Sequence, residues 1–310
     1  MSVDIRIATR QSELAMWQAN YVKGRLHEAY PEASIEIIGM TTEGDRNQHA
    51  SLAGIGGKGL FVKELELALV QDRADIAVHS MKDVPALLPD GLEIAAICER
   101  DDPRDAFVSK LYKSLDDMPS QSRLGSSSLR RRLQVKHHYP EFTYLDLRGN
   151  VNTRLRKLDE GEYDAIILAV AGLKRLRRDD RITHSIDSTV SIPSAGQGAV
   201  GIECRCDDDS MKAVLETIDH EPTRHSVFCE RRVSSALGAT CNLPIGVFAE
   251  INGGKMRLSA FVSDLEGDQF LRDSIEGSVR EGMDLAGRLS DRLMADGARE
   301  LIDAAGAHSS

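Results

Sequence analysis

The chain has 310 residues, a formal net charge of −10 and only 5% aromatic residues. Two or three domains fit that length, while the acidity and scarcity of aromatics exclude general nucleic-acid binding. Five cysteines without paired spacing point to free thiols in a reducing compartment, no apolar run reaches membrane length, and MSVDIRIATR carries no export leader, so the protein reads as cytoplasmic.

In chain order, Asp4–Thr9 alternates as a strand and turns through Arg10 and Gln11 into a helix that Ser12 can cap. Arg10 therefore stands at a strand's carboxyl end, beside a helix start that favours anions. Ser34–Met40 is a second strand. Thr41–Gly59 is a polar, Gly-rich loop whose GIGGKG fails the phosphate-loop pattern, because Leu52 and Gly59 stand where Gly and Ser or Thr are required. A helix with Phe61, Leu65, Ala68 and Leu69 follows. ADIAVHSMKDVP, Ala74–Pro85, then reads as a strand buried on both faces that ends abruptly in His79, Ser80, Lys82 and Asp83. Ligands of open α/β sheets sit beyond such strand ends, although a plain surface turn carries the same residues. Leu92–Cys98 is another strand.

Glu99–Asp105 is charged, holds Pro103 and reads as a linker. A second α/β unit begins with strands at Ala106–Ser109 and Ser122–Gly125. Its GSSSLRRR, Gly125–Arg132, offers backbone N–H groups, hydroxyls and guanidinium groups suited to carboxylate or phosphate. Thr143–Leu147 is a strand, and Arg148-Gly149-Asn150 repeats the Arg10 arrangement ahead of another helix, which carries Arg154. Ala165–Val170 is a buried strand leading to a short basic helix with Arg175. Ser191–Gly198 reads as a second linker, and the strand Ala199–Arg205 returns to the first sheet. Cys204 and Cys206 would share one face of that strand as structural thiols, and His137-His138 lacks metal-binding partners. After Glu221 come a helix, the Cys241 loop and three alternating strands with good turns, then another helix. From spacing alone, Cys241 is either a structural thiol or a nucleophile.

The expected fold is thus α/β: two hinged domains like those of periplasmic binding proteins, plus a small C-terminal α+β domain with a three-stranded antiparallel sheet. The expected boundaries are 1–99 with 200–217, 105–193 and 222–310, with hinges at 100–104 and 194–199. An acidic protein with clustered arginines implies a small polyanionic ligand.

ATRQSELA, GGKGLFVKELE, DIAVHSMKDVP, ERDDPRDA, GSSSLRRR, LRGNVNTRLRKLDEGEYDAIILAVAGLKRL, IPSAGQGAVGIE and CNLPIG occur in this order. Over essentially its whole length the chain resembles the porphobilinogen deaminase family. That resemblance implies a transferase that condenses four porphobilinogens head to tail, releases four ammonias and yields hydroxymethylbilane for tetrapyrrole and haem biosynthesis. It implies one dipyrromethane cofactor per chain, attached through a thioether to Cys241. It implies Asp83 as the catalytic acid. Cofactor contacts would come from Lys82, Asp83, Ser128, Arg130, Arg131 and Arg148, and substrate contacts from Arg10, Ser12, Arg154 and Arg175. Lys58 and Phe61 would belong to a lid loop. No metal, nucleic acid or membrane is implied, and a monomer is expected. Ala239 and Thr240 stand where the family usually has two glycines before the cofactor cysteine, and Gly54 where some members have a basic residue. The alternative reading is a non-catalytic two-lobed anion-binding protein.

Overall fold

Ile76–Ser80 forms a strand whose first four residues are buried, so it reads as an unbroken apolar run rather than an alternating one. The structure is a computed structural model that describes residues 4–42, 62–238 and 243–307. Lys58, Phe61 and Cys241, with its neighbours Ala239 and Thr240, lie outside the described residues.

The chain begins with β1 (Asp4–Arg10), α1 (Glu13–Ala29), β2 (Ser34–Met40), α2 (Lys63–Val70), β3 (Ile76–Ser80) and β4 (Leu92–Ile97). There follow β5 (Asp105–Val108), β6 (Arg123–Gly125), α3 (Leu129–His138), β7 (Thr143–Leu145), α4 (Val151–Asp159), β8 (Ala165–Ala169), α5 (Val170–Arg175) and β9 (His184–Ile186). The remainder is β10 (Val200–Arg205), α6 (Asp209–Leu215), α7 (Glu221–Ala236), β11 (Ile245–Asn252), β12 (Lys255–Ser263), β13 (Phe270–Ser278), α8 (Gly282–Ala295) and α9 (Ala298–Ala307).

One compact unit comprises residues 4–42, 62–101 and 199–225. Its sheet has the order β2-β1-β3-β10-β4. β1 runs parallel to β2 and β3, and β10 lies antiparallel between β3 and β4. Ile5, Ile7, Ile76 and Val78 pack with Ala19, Val22 and Leu26 of α1 on one face. The small side chains of Ala8 and Ala77 meet Leu65, Ala68 and Leu69 of α2 on the other. Covered on both faces, the strands lack a polar side, as parallel strands in α/β folds do.

The other unit comprises residues 102–198, 226–238 and 243–307. Its first sheet, β7-β6-β8-β5-β9, repeats the topology: β6 is parallel to β7 and β8, and β5 is antiparallel between β8 and β9. Its second sheet is the meander β11-β12-β13. Leu285 and Leu289 of α8 cover one face of the meander, against Val247, Met256, Leu258 and Ala260. The opposite face puts Phe248 and Phe261 onto Leu133 and Ile192, and Val247 N donates to Pro193 O. These contacts gather the small C-terminal α+β domain, with its three-stranded antiparallel sheet, and the β5–β9 sheet into one compact unit.

Two local readings differ from the structure. Ser191–Gly198 is no exposed connector, since Ser191 and Gln197 are buried. Cys206 does not share a strand face with Cys204: β10 ends at Arg205 and Cys206 is exposed beyond it.

Candidate active site

At the carboxyl ends of β1 and β3, Arg10, Ser12, Gln18, Val62, Val78, His79, Ser80 and Asp83 line one pocket. The fold places them simply. Ser12 caps α1 by accepting from Ala15 N at 3.4 Å. After β3 the backbone makes a 3-10 turn over Met81–Asp83, which presents Lys82 and Asp83, both half-buried. Met81 N donates to Ala199 O, tying that turn to the strand returning as β10. Gln18 donates to Ser80 Oγ at 2.8 Å. Behind the opening, His79 Nε2 lies 2.8 Å from Glu203 Oε2, both side chains being almost fully enclosed.

Sequence reasoning missed Gln18, and it named His79 and Ser80 only as residues at a strand end. One signal was available: Gln18 sits between Leu14 and Val22, on the face of α1 that is otherwise apolar, and a buried amide there requires a partner. Glu203 gave no signal, being one charged residue within a strand.

The arginines of the other unit fall into two classes. Arg130 and Arg131 are 3% and 5% exposed. Arg130 donates through Nη1 and Nη2 to Asp105, at 2.7 and 3.0 Å, and to Ile192 O at 2.8 Å. Arg131 Nε donates to the same carboxylate at 2.8 Å and its Nη2 to Gln197 Oε1 at 3.1 Å. Gln197 and Ser191 also donate to Asp105. Burial alone would push the Asp105 carboxyl up. The charges of Arg130 and Arg131, with hydrogen bonds from Arg130 and Gln197, outweigh it and hold the group far below the usual carboxylate range. Arg130 Nε is buried without a hydrogen-bond partner. The Nη1 and Nη2 donors of Arg130 thus reach Asp105, Ser191 and the Ile192 carbonyl.

Arg148, Arg154 and Arg175 form the second class. Arg148 and Arg154 are half-buried. Arg148 pairs with Asp146, and Arg154 Nε donates to Gly149 O at 2.7 Å. Gly149 has φ +113°, and a Cβ there would come within 2.8 Å of Thr153, so the turn between Arg148 and the Asn150 cap of α4 requires glycine. Arg175 is buried and donates to Gly198 O. Ser128 caps α3 by accepting from Arg131 N.

Cys204 and Cys229 are buried and unsuited to nucleophilic work. Burial pushes the Cys204 thiol up to about 12 and the Cys229 thiol up to about 11. Among the described residues no His, Cys, Asp or Glu cluster could hold a metal ion, and no helix is long and apolar enough to cross a membrane.

Residues 5–213 match the profile of "Porphobilinogen deaminase, dipyromethane cofactor binding domain", and residues 225–295 match that of "Porphobilinogen deaminase, C-terminal domain". The chain belongs to the porphobilinogen deaminase family. Like other porphobilinogen deaminases it is a transferase, condensing four porphobilinogens head to tail with release of four ammonias to form hydroxymethylbilane in tetrapyrrole biosynthesis, and it uses a dipyrromethane cofactor. This match does not favour the non-catalytic receptor. Guanidinium groups at strand-end turns and serine-capped helix starts also fit a group rich in carboxylates. Among solved structures, the chain resembles a TRAP periplasmic solute binding protein from Desulfovibrio salexigens (11% identity, 72% of this chain and 74% of that one, TM-score 0.45). It also resembles immunogenic lipoprotein A from Vibrio vulnificus (13%, 71% and 96%, 0.44) and the BvgS VFT2 domain from Bordetella pertussis (14%, 70% and 86%, 0.42).

Proposed function

We propose that this porphobilinogen deaminase performs its condensation at the pocket bearing Asp83, and that Asp83 is its catalytic carboxylate. The observation that carries this reading is that Arg10, Ser12 and Asp83, 73 residues apart in sequence at the extremes, line one pocket at the ends of β1 and β3. Loss of ammonia from porphobilinogen leaves a cation. A fixed carboxylate stabilises that cation and accepts a hydrogen bond from its pyrrole N–H. Arg10 and Ser12, at the start of α1, bind substrate carboxylates, and Lys82 binds those of the cofactor. In the other unit, Arg148 and the capped start of α3, with Ser128, Arg130 and Arg131, contact the cofactor, and Arg154 and Arg175 bind substrate carboxylates. Arg130 and Arg131 also hold Asp105. The dipyrromethane, when bound, supplies the accepting pyrrole on which the product is built.

Cys241 is proposed as the attachment residue on the strength of the family resemblance. The protein works in the cytoplasm as a monomer that does not bind nucleic acid. In support, Cys98, Cys204, Cys206 and Cys229 are free thiols, the net charge is −10, and the exposed large apolar residues are spread over α2, two loops, β11 and α8.

Intact mass measurement tests the assignment. Protein from cells that make porphobilinogen is expected to exceed the bare chain by two pyrrole units, in a form that resists thiol reductants because a thioether is not a disulfide. Cys241→Ser is expected to lose both the added mass and ammonia release. A bare-chain mass in active protein overturns the assignment of Cys241.

A further inference from the structure

His79, Glu203 and Glu66 form a buried titratable group that the mechanism above leaves unused. His79 lines the pocket with Asp83 and Arg10. Its Nε2 is taken by Glu203 Oε2 at 2.8 Å, across adjacent antiparallel strands. Any proton exchanged between the ring and the pocket therefore passes through Nδ1. Glu66 projects from α2, 9% exposed. Oε1 of Glu66 and Oε1 of Glu203 are both buried without a hydrogen-bond partner. Burial pushes the Glu66 carboxyl up, the charge of Glu203 adds to this, and His79 opposes it. Arg10, at the end of β1, and Asp83, in the turn after β3, line the same pocket as the ring.

We propose that His79, oriented by Glu203, takes up the proton released each time a porphobilinogen unit joins the chain. This rests on the deaminase reading. The carbon–nitrogen bond of the substrate's ammonium group breaks, and ammonia leaves with the bonding electron pair. The accepting ring's α-carbon then forms the new carbon–carbon bond, and its C–H bond breaks with the electron pair returning to the ring. That proton moves to Nδ1 of His79 and onward to the departing ammonia, giving ammonium. The geometry favours the uptake: the enclosed Glu203 carboxyl group, 2.8 Å from Nε2, lies where it stabilises positive charge gained by the ring. Asp83 meanwhile stabilises the cation. His79 and Asp83 thus divide proton transfer from charge stabilisation, and Glu203 acts as a positioning residue by fixing the ring's tautomer.

His79→Gln preserves a donor toward Glu203 but cannot take a proton. In this variant the melting temperature and KM are expected to stay near wild type while kcat falls about 10²-fold, the usual contribution of a general base. Porphobilinogen deuterated at its free α-carbon is expected to show a primary isotope effect in the variant. A folded His79→Gln protein with wild-type kcat overturns the proposal. Nitrogen-15 shifts of His79 in resting wild type give a readout independent of turnover: the Nε2–H tautomer is expected, and an Nδ1–H tautomer overturns the assignment. If His79→Gln fails to fold, Glu203→Gln decides. A lower kcat with a displaced pH–rate profile supports the proposal, and an unchanged profile overturns it. Wild type that releases no ammonia from porphobilinogen overturns the deaminase reading instead, and the nitrogen shifts still decide how Glu203 orients the ring.

Discussion

Asp83 and Asp105 are 22 positions apart and meet opposite environments. Asp83 is half-buried on the pocket wall. Asp83→Asn keeps the size and removes the charge, so turnover is expected to fall by about 10²-fold or more while the melting temperature holds. Steady-state ammonia release beside thermal melting measures this, and wild-type turnover contradicts the catalytic assignment. Asp105 is fully enclosed between two guanidinium groups. Asp105→Asn strands two buried cations and is expected to cost about 3–5 kcal/mol, read from urea unfolding. Because the folded-state pKa of Asp105 lies below its ordinary 3.8, the ion pairs' contribution is fully present above that value and is lost as pH falls below it. The stability gap between wild type and Asp105→Asn is therefore expected to narrow in acid.

Among the elements, β11 shows how close packing constrains a single position. Gly246 lies where an added Cβ would come within 2.6 Å of the Ile192 carbonyl and 3.3 Å of Arg130 Cδ. Backbone cannot yield as a flexible side-chain tip does, and the next residue, Val247, already donates to Pro193 O. Gly246→Ala is expected to destabilise by about 1–3 kcal/mol through overpacking. A shift in the urea midpoint measures this, and an unshifted midpoint shows that the 192–193 segment can move. Glu230 of α7 secures the same region by accepting from Gly196 N at 2.7 Å and Ala249 N at 2.9 Å. Two backbone N–H groups thus help satisfy this buried carboxyl group.

On the scale of the whole molecule, each five-stranded sheet contains an inserted antiparallel strand. β10 pairs with β3 on one side and β4 on the other, although about 100 residues separate it from either in sequence. A chain ending at Gly198 would leave both strands with open edges in the middle of the sheet, and open apolar edges aggregate. Such a fragment is expected to be insoluble or molten, while the full chain gives a cooperative transition. Solubility and near-ultraviolet circular dichroism check this, and a native-like soluble fragment would show that β10 is dispensable.

Local signals made most of the architecture legible. Alternation marked β1, β12 and β13, an unbroken apolar run marked β3, and Ser12 and Asn150 announced the starts of α1 and α4. The same turn chemistry pointed to Arg10, Asp83 and Arg148, because strand ends and helix caps are set by neighbours within a few residues. Tertiary structure alone decided which charged residues are buried. Asp105 ends a charged, Pro-bearing stretch that reads as an exposed linker, yet Arg130, 25 residues on, encloses it. His79 and Glu203 meet across 124 residues. Burying an ionised side chain is costly until an opposite charge arrives, and that partner is supplied by the fold rather than by any neighbour in the chain.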